Sequence, residues 1–240
     1  MVGWVMAISI KKVFWKSVTV RKDGFDYVIY LDNHLLKTPK KSLIKLPNQK
    51  LADLVAKEWV EQINEIDYNI MPVNRLTNAA IDKVGNNIDE VTTLLGEYAG
   101  TDLLCYRAEE PNDLIDQQIM HWDPYIKWAE ENLGIKLNVT NGVVPIEQPM
   151  ETMHLLISKM KNMSTFKLTI FHELVTNSGS YILGLAAVEN AMPSENIWNA
   201  AILDESWQSS AWGEDQEQKK NLELKKADFF KAIEVLHTLG

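Results

Sequence analysis

The chain has 240 residues, 46% of them hydrophobic and 24% charged. That is enough apolar surface for one large or two modest cores, so the chain need not be disordered. The net charge of -9 is unevenly spread. Residues 1–50 carry ten Lys or Arg against three Asp, a net of +7, and the rest carries -16, which argues against wrapping a polyanion such as nucleic acid.

In chain order, the first segment is MVGWVMAISI. It is only ten residues long, and its lysines, Lys11 and Lys12, follow the apolar run instead of preceding it. It reads as an arm or strand, not a signal peptide, and no apolar run approaches the roughly 20 residues that span a bilayer. Residues 13–46 read as strands. VFWKSVTV and FDYVIYLD are rich in β-branched and aromatic residues, with a turn signal at Lys22-Asp23-Gly24. A second turn is expected near Asp32-Asn33, and SLIKLP reads as another short strand.

From Asn48 the hydrophobic period changes. Asn48 is placed to cap a helix whose apolar positions are Leu51, Leu54, Val55, Trp59 and Ile63. Met71-Pro72 interrupts the pattern and suggests a domain boundary. Helices are then expected over 73–84, 87–99, 112–132, 150–162, 165–176, 179–191, 194–210 and 215–239, with short extended pieces at 101–106 and 135–140. YILGLAAV, residues 181–188, is apolar on every side, as a helix at the centre of a bundle would be. The expected fold class is α+β: a small N-terminal β-rich domain with one helix over 1–70, then an all-helical domain over 71–240.

Chemical motifs are scarce. Neither GxxxxGK[ST] nor GxGxxG occurs, so the common phosphate loops give no case for nucleotide binding. His172-Glu173 opens like a zinc-protease motif, but Thr176 stands where the second ligand belongs. The five histidines have no metal-ligand spacing with one another or with Cys105, and no GxSxG elbow is present. Cys105 is alone, which fits a reducing compartment. No cofactor, metal or catalytic residue is expected. Eight tryptophans remain, most of them suited to core packing. Trp212 is set apart by its neighbours Glu214, Asp215 and Glu217. Gly213 can end one helix there, and the carboxylates then fall in the first turn of the next, where they suit the helix dipole.

Six segments together carry a resemblance: LDNHLLKTPKK (31–41), LADLVAKEWVEQ (51–62), MPVNRLTNAAID (71–82), TDLLCYRAEEP (101–111), QQIMHWDPYIKW (117–128) and WGEDQEQ (212–218). In order and spacing the chain resembles the ATP-twelve family, chaperones that bind the free alpha subunit of the ATP synthase catalytic sector. It departs from the family at Asn33, His34 and Leu35, where Gly-Arg-Pro is common. The resemblance implies a two-domain protein, a two-layer α+β N-terminal part followed by an all-α orthogonal helical bundle, that is not an enzyme and does not insert into membranes. It also implies a required glutamate in the acidic segment. Glu217 is the first choice, then Glu214 and Asp215, with Trp212 as an apolar anchor. The expected partner is the alpha subunit, the expected state a monomer, and the expected place a bacterial cytoplasm, with a mitochondrial matrix as the alternative. The rival readings are a small-molecule enzyme with an interdomain site and a nucleic-acid module using the basic N-terminal segment.

Overall fold

The computed structural model describes residues 12–213 and 215–240; the arm expected over residues 1–10 lies outside them. The chain divides into two units, one running up to Asp82 and the other from Lys83 to Thr238.

The first unit is a small α+β layer. β1 (Val18–Asp23) pairs antiparallel with β2 (Asp26–Leu31), and β2 pairs with β3 (His34–Leu35). Gly24 turns the first hairpin at φ 64°, and Asp32 turns the second at φ 53°, a left-handed value that Asp tolerates better than most residues. The Asp32 carboxylate accepts from the backbone N–H groups of Lys16 and Ser17, which hold it below the usual carboxylate range. α1 (Gln49–Val60) lies on this sheet, and Asn48 caps it by accepting from the Leu51 N–H at 2.9 Å. Leu51, Val55 and Trp59 face the sheet residues Val28, Ile29 and Leu31 in one buried core.

Two expectations differ here. SLIKLP does not form a regular strand; it makes single bridges, Leu43 to Lys37 and Leu46 to Tyr27, so it edges the sheet without extending it. The division falls after Asp82, not before Met71. Pro72 opens α2 (Pro72–Asp82), where its missing N–H costs nothing, and three ties hold that helix to the first unit. The buried Glu58 carboxylate accepts from the Val73 and Asn74 N–H groups at 2.8 and 2.7 Å. The Trp59 indole donates to Asn74 at 3.2 Å, and the Thr38 hydroxyl donates to Asp82 at 2.8 Å.

The second unit is helical. It comprises α3 (Ile88–Gly100), α4 (Asn112–Leu133), α5 (Met150–Lys161), α6 (Thr165–Ser178), α7 (Tyr181–Val188), α8 (Ser194–Ala201), α9 (Leu203–Trp212) and α10 (Gln216–Leu239). The extended pieces expected at 101–106 and 135–140 shrink to β4 (Tyr106–Arg107) and β5 (Thr140–Asn141), which pair in parallel; residues 103–105 form a 3-10 turn instead.

α7 sits at the centre, with every residue from Tyr181 to Ala187 buried. Its Gly184 allows close packing on α6: a Cβ there would meet Val175 at 2.7 Å. Asp102, wholly buried, accepts from the Ile182 N–H at 2.9 Å and the Ser180 hydroxyl at 2.8 Å, so a carboxylate sits at the positive end of α7. Burial pushes its pKa up to about 6, against the pull of those donors.

The single helix expected over 194–210 is broken at Ile202. The reason is a competing donor: the buried Trp122 indole donates to the Ala200 carbonyl at 2.8 Å, the acceptor that a continuous helix would offer to the N–H of Asp204.

Candidate functional site, the junction of α9 and α10

α9 has no fully buried residue, though Leu203 and Trp207 are half-buried. Polar ties fix it to α4. The Gln118 amide donates to Asp204 at 2.8 Å, and the Trp207 indole donates to Asp113 at 3.1 Å. Gln118 is fixed in turn, accepting from the Ala108 N–H at 2.8 Å, while its backbone carbonyl accepts from Arg107 at 2.9 Å. Arg107 completes the support: it donates to the Leu104 carbonyl, pairs with Asp123 at 2.8 Å, and lies over the Trp122 ring. Asp102 and Arg107 thus serve as buried structural groups.

At the end of α9, Trp212 is 78% exposed, with its ring edge-on to Trp207 at 6.0 Å. Gly213 then turns the chain at φ 95°, a region open to glycine. Asp215 caps α10 by accepting from the Glu217 N–H at 2.9 Å. Glu217 lies in the first turn of α10, and its carboxylate takes no hydrogen bond or ion pair among the described residues. Glu214 lies outside those residues.

Asp215 and Glu217 line a shallow cavity of about 400 Å³, with Glu205 and Ser209 of α9 and Leu222 and Lys225 of α10. Asp215 is occupied in holding the helix start, whereas Glu217 is presented to solvent by a formed helix. Glu205 and Leu222 were missed. Both lie on helices that sequence periodicity located, but their convergence depends on the turn at Gly213, which periodicity does not specify.

Elsewhere the sequence motifs stay structural. The Thr176 hydroxyl, at the position of the missing zinc ligand, donates to the His172 carbonyl at 2.9 Å. His121 and Asp123 flank Trp122 without converging: Asp123 pairs with Arg107 while Trp122 turns inward. Burial pushes the Cys105 thiol up to about 12, which keeps it protonated and unreactive. No helix among the described residues is long and apolar enough to cross a membrane.

The junction thus displays an exposed tryptophan at the end of one helix and an exposed carboxylate in the first turn of the next. Relatives identify the chain's family. The ATP12 chaperone protein family matches residues 12–130. The crystal structure of Atp12 from Paracoccus denitrificans is 36% identical, with a TM-score of 0.90 over 94% of this chain and 97% of that one. Protein atp12, mitochondrial, of Schizosaccharomyces pombe is 25% identical over 93% of this chain and 84% of its own length. Protein ATP12, mitochondrial, of Saccharomyces cerevisiae is 26% identical over 84% of this chain and 76% of its own. The chain belongs to the ATP12 family; it is a chaperone of F1-ATPase assembly and not an enzyme.

Proposed function

We propose that this chaperone holds the unassembled alpha subunit of the F-type ATP synthase and covers the surface that the subunit later presents to its beta neighbours. An isolated alpha subunit exposes that surface to water, and large exposed apolar patches associate wrongly. A monomeric binder stabilises the free subunit by mass action and leaves when the proper neighbour competes for the same face. In this reading Trp212 is the apolar anchor, and Glu217 pairs with a cation on the client, with Glu214 and Asp215 adding local negative charge. No nucleotide, metal or bond-making step is required.

The observation that carries the reading is the pairing of a 78% exposed tryptophan with a carboxylate that the fold leaves uncommitted. The 36% identity to a bacterial chaperone, against 25–26% to the mitochondrial ones, supports a bacterial cytoplasm as its place.

The test is charge reversal. Glu217→Lys should keep the wild-type circular dichroism and melting temperature, yet fail to restore ATP synthase assembly in cells lacking the chaperone. Normal assembly with a folded Glu217→Lys chain overturns the assignment.

A further inference from the structure

A second surface of the helical unit has the marks of a built docking site. Between β5 and α5 the chain runs through a loop whose apolar residues point outward: Val143 is 91% exposed and Val144 70%, and Met150 just beyond is 74% exposed. Single exposed apolar residues are ordinary, but a run of them on an ordered loop is not.

This loop is held at both ends. The Gly142 N–H donates to the Arg107 carbonyl at 2.8 Å, and the Ile146 N–H donates to the Tyr106 hydroxyl at 3.4 Å. Asn138 and Gln148 clasp its base: the Asn138 N–H donates to the Gln148 side chain at 2.9 Å, and the Gln148 amide donates back to the Asn138 carbonyl at 3.0 Å. The Thr152 hydroxyl donates to the Lys136 carbonyl at 2.6 Å, fixing α5 to the same base. The valines are therefore displayed by an organised scaffold, and ordering them costs a partner little entropy.

Beside the loop, α3 and α5 enclose an open groove of about 660 Å³. Ile146, Met150, Met153 and Ile157 form its apolar wall, and Glu97 and Glu147 stand on its lining without a lysine or arginine among them. Methionine walls adapt to varied apolar shapes. The cations of α5, Lys159 and Lys161, lie in its last turn. The groove thus suits an apolar segment bearing positive charge and opposes an acidic one.

We propose that loop 142–145 and the methionine-walled groove between α3 and α5 form a second docking surface, which takes an apolar, lysine- or arginine-bearing segment of the client subunit. The proposal rests on the reading of the chain as an alpha-subunit chaperone, and it adds a contact remote in sequence from Trp212 and Glu217. Two anchors on one client give an affinity that neither supplies alone.

The test uses the full chain, purified alpha subunit, and two synthetic peptides of equal length, one alternating leucine and lysine and the other leucine and glutamate. Binding is measured by calorimetry with the wild type, with Val143→Asp/Val144→Asp, with Glu97→Lys/Glu147→Lys, and with Lys50→Gln, an exposed position on α1 outside the groove, as a control. The loop and charge variants change exposed or rim residues, so they should melt within a few degrees of the wild type. Both are expected to weaken alpha-subunit binding at least tenfold, while Lys50→Gln binds as the wild type does. The leucine–lysine peptide should bind the wild type and not the two variants, and the leucine–glutamate peptide should bind none.

Wild-type affinity for the alpha subunit in both folded variants overturns the docking surface and leaves the chaperone reading standing. A wild type that ignores the alpha subunit overturns that reading instead, and the peptides alone then decide the groove. Peptide binding that is indifferent to charge or to the variants overturns it. So does a wild-type dimer that the valine substitutions convert to monomer, because the face would then serve a second copy of the chain.

Discussion

Three carboxylates show how one functional group takes different roles in different settings. Glu58 is buried and accepts from two N–H groups at the start of α2. Its replacement by alanine strands those donors, so Glu58→Ala should lower the unfolding free energy by roughly 3 kcal/mol, as read by urea denaturation. Asp102 is buried at the start of α7, with its pKa pushed up to about 6 from an ordinary 3.8. A carboxyl raised on folding contributes stability below about pH 3.8 and loses that contribution as pH climbs to about 6. Wild type should therefore weaken between pH 4 and 6 relative to Asp102→Asn, by on the order of 2 kcal/mol, and urea midpoints across that range would read it. A pH-independent gap between the two proteins would count against a buried, titrating Asp102. Glu217, by contrast, is free to act on a partner. Its reversal should leave the melt unchanged and affect only binding, which separates a recognition role from a structural one.

At the scale of elements, α7 and α9 are opposites. α7 is buried throughout and depends on the close approach at Gly184. Gly184→Ala places a methyl group 2.7 Å from Val175, and overpacking of that kind should cost about 1–3 kcal/mol in unfolding free energy. α9 has no buried residue, and side-chain hydrogen bonds from Gln118 and to Asp113 hold it. Gln118→Ala should loosen it, seen as faster amide exchange over α9 with little change in exchange over α7.

The same contrast marks what was legible in the sequence. YILGLAAV declared itself through an unbroken apolar run, and Asn48 through its place before a helical period. The break at Ile202 was invisible, because the indole that competes for the Ala200 carbonyl belongs to Trp122, 78 residues away. The place of α2 was hidden for a like reason. Pro72 reads as an interruption, and only the buried Glu58, Trp59 and Thr38 reveal that the helix it opens belongs with the sheet. At the candidate site, Trp212, Asp215 and Glu217 stood out by composition. Glu205 and Leu222 did not, since long-range geometry brings them to the cavity.

For the whole molecule, the proposed binding relies on exposed carboxylates and displayed apolar side chains, while buried charges such as Glu58 and Asp102 hold the architecture. Recognition by exposed carboxylates is screened by salt. Binding of the alpha subunit should therefore weaken severalfold between 50 and 500 mM salt, roughly one Debye length shrinking from over 10 Å to under 5 Å, while the apolar contribution of Trp212 persists. Trp212→Ala should lower affinity at every salt concentration.

The most direct test of the chaperone reading follows light scattering as purified alpha subunit is diluted from denaturant. With one equivalent of this chain present, scattering should stay near baseline and a one-to-one complex should be recovered, from which added beta subunit releases the chaperone. Scattering that rises as it does without the chain, with no complex recovered, would contradict the account.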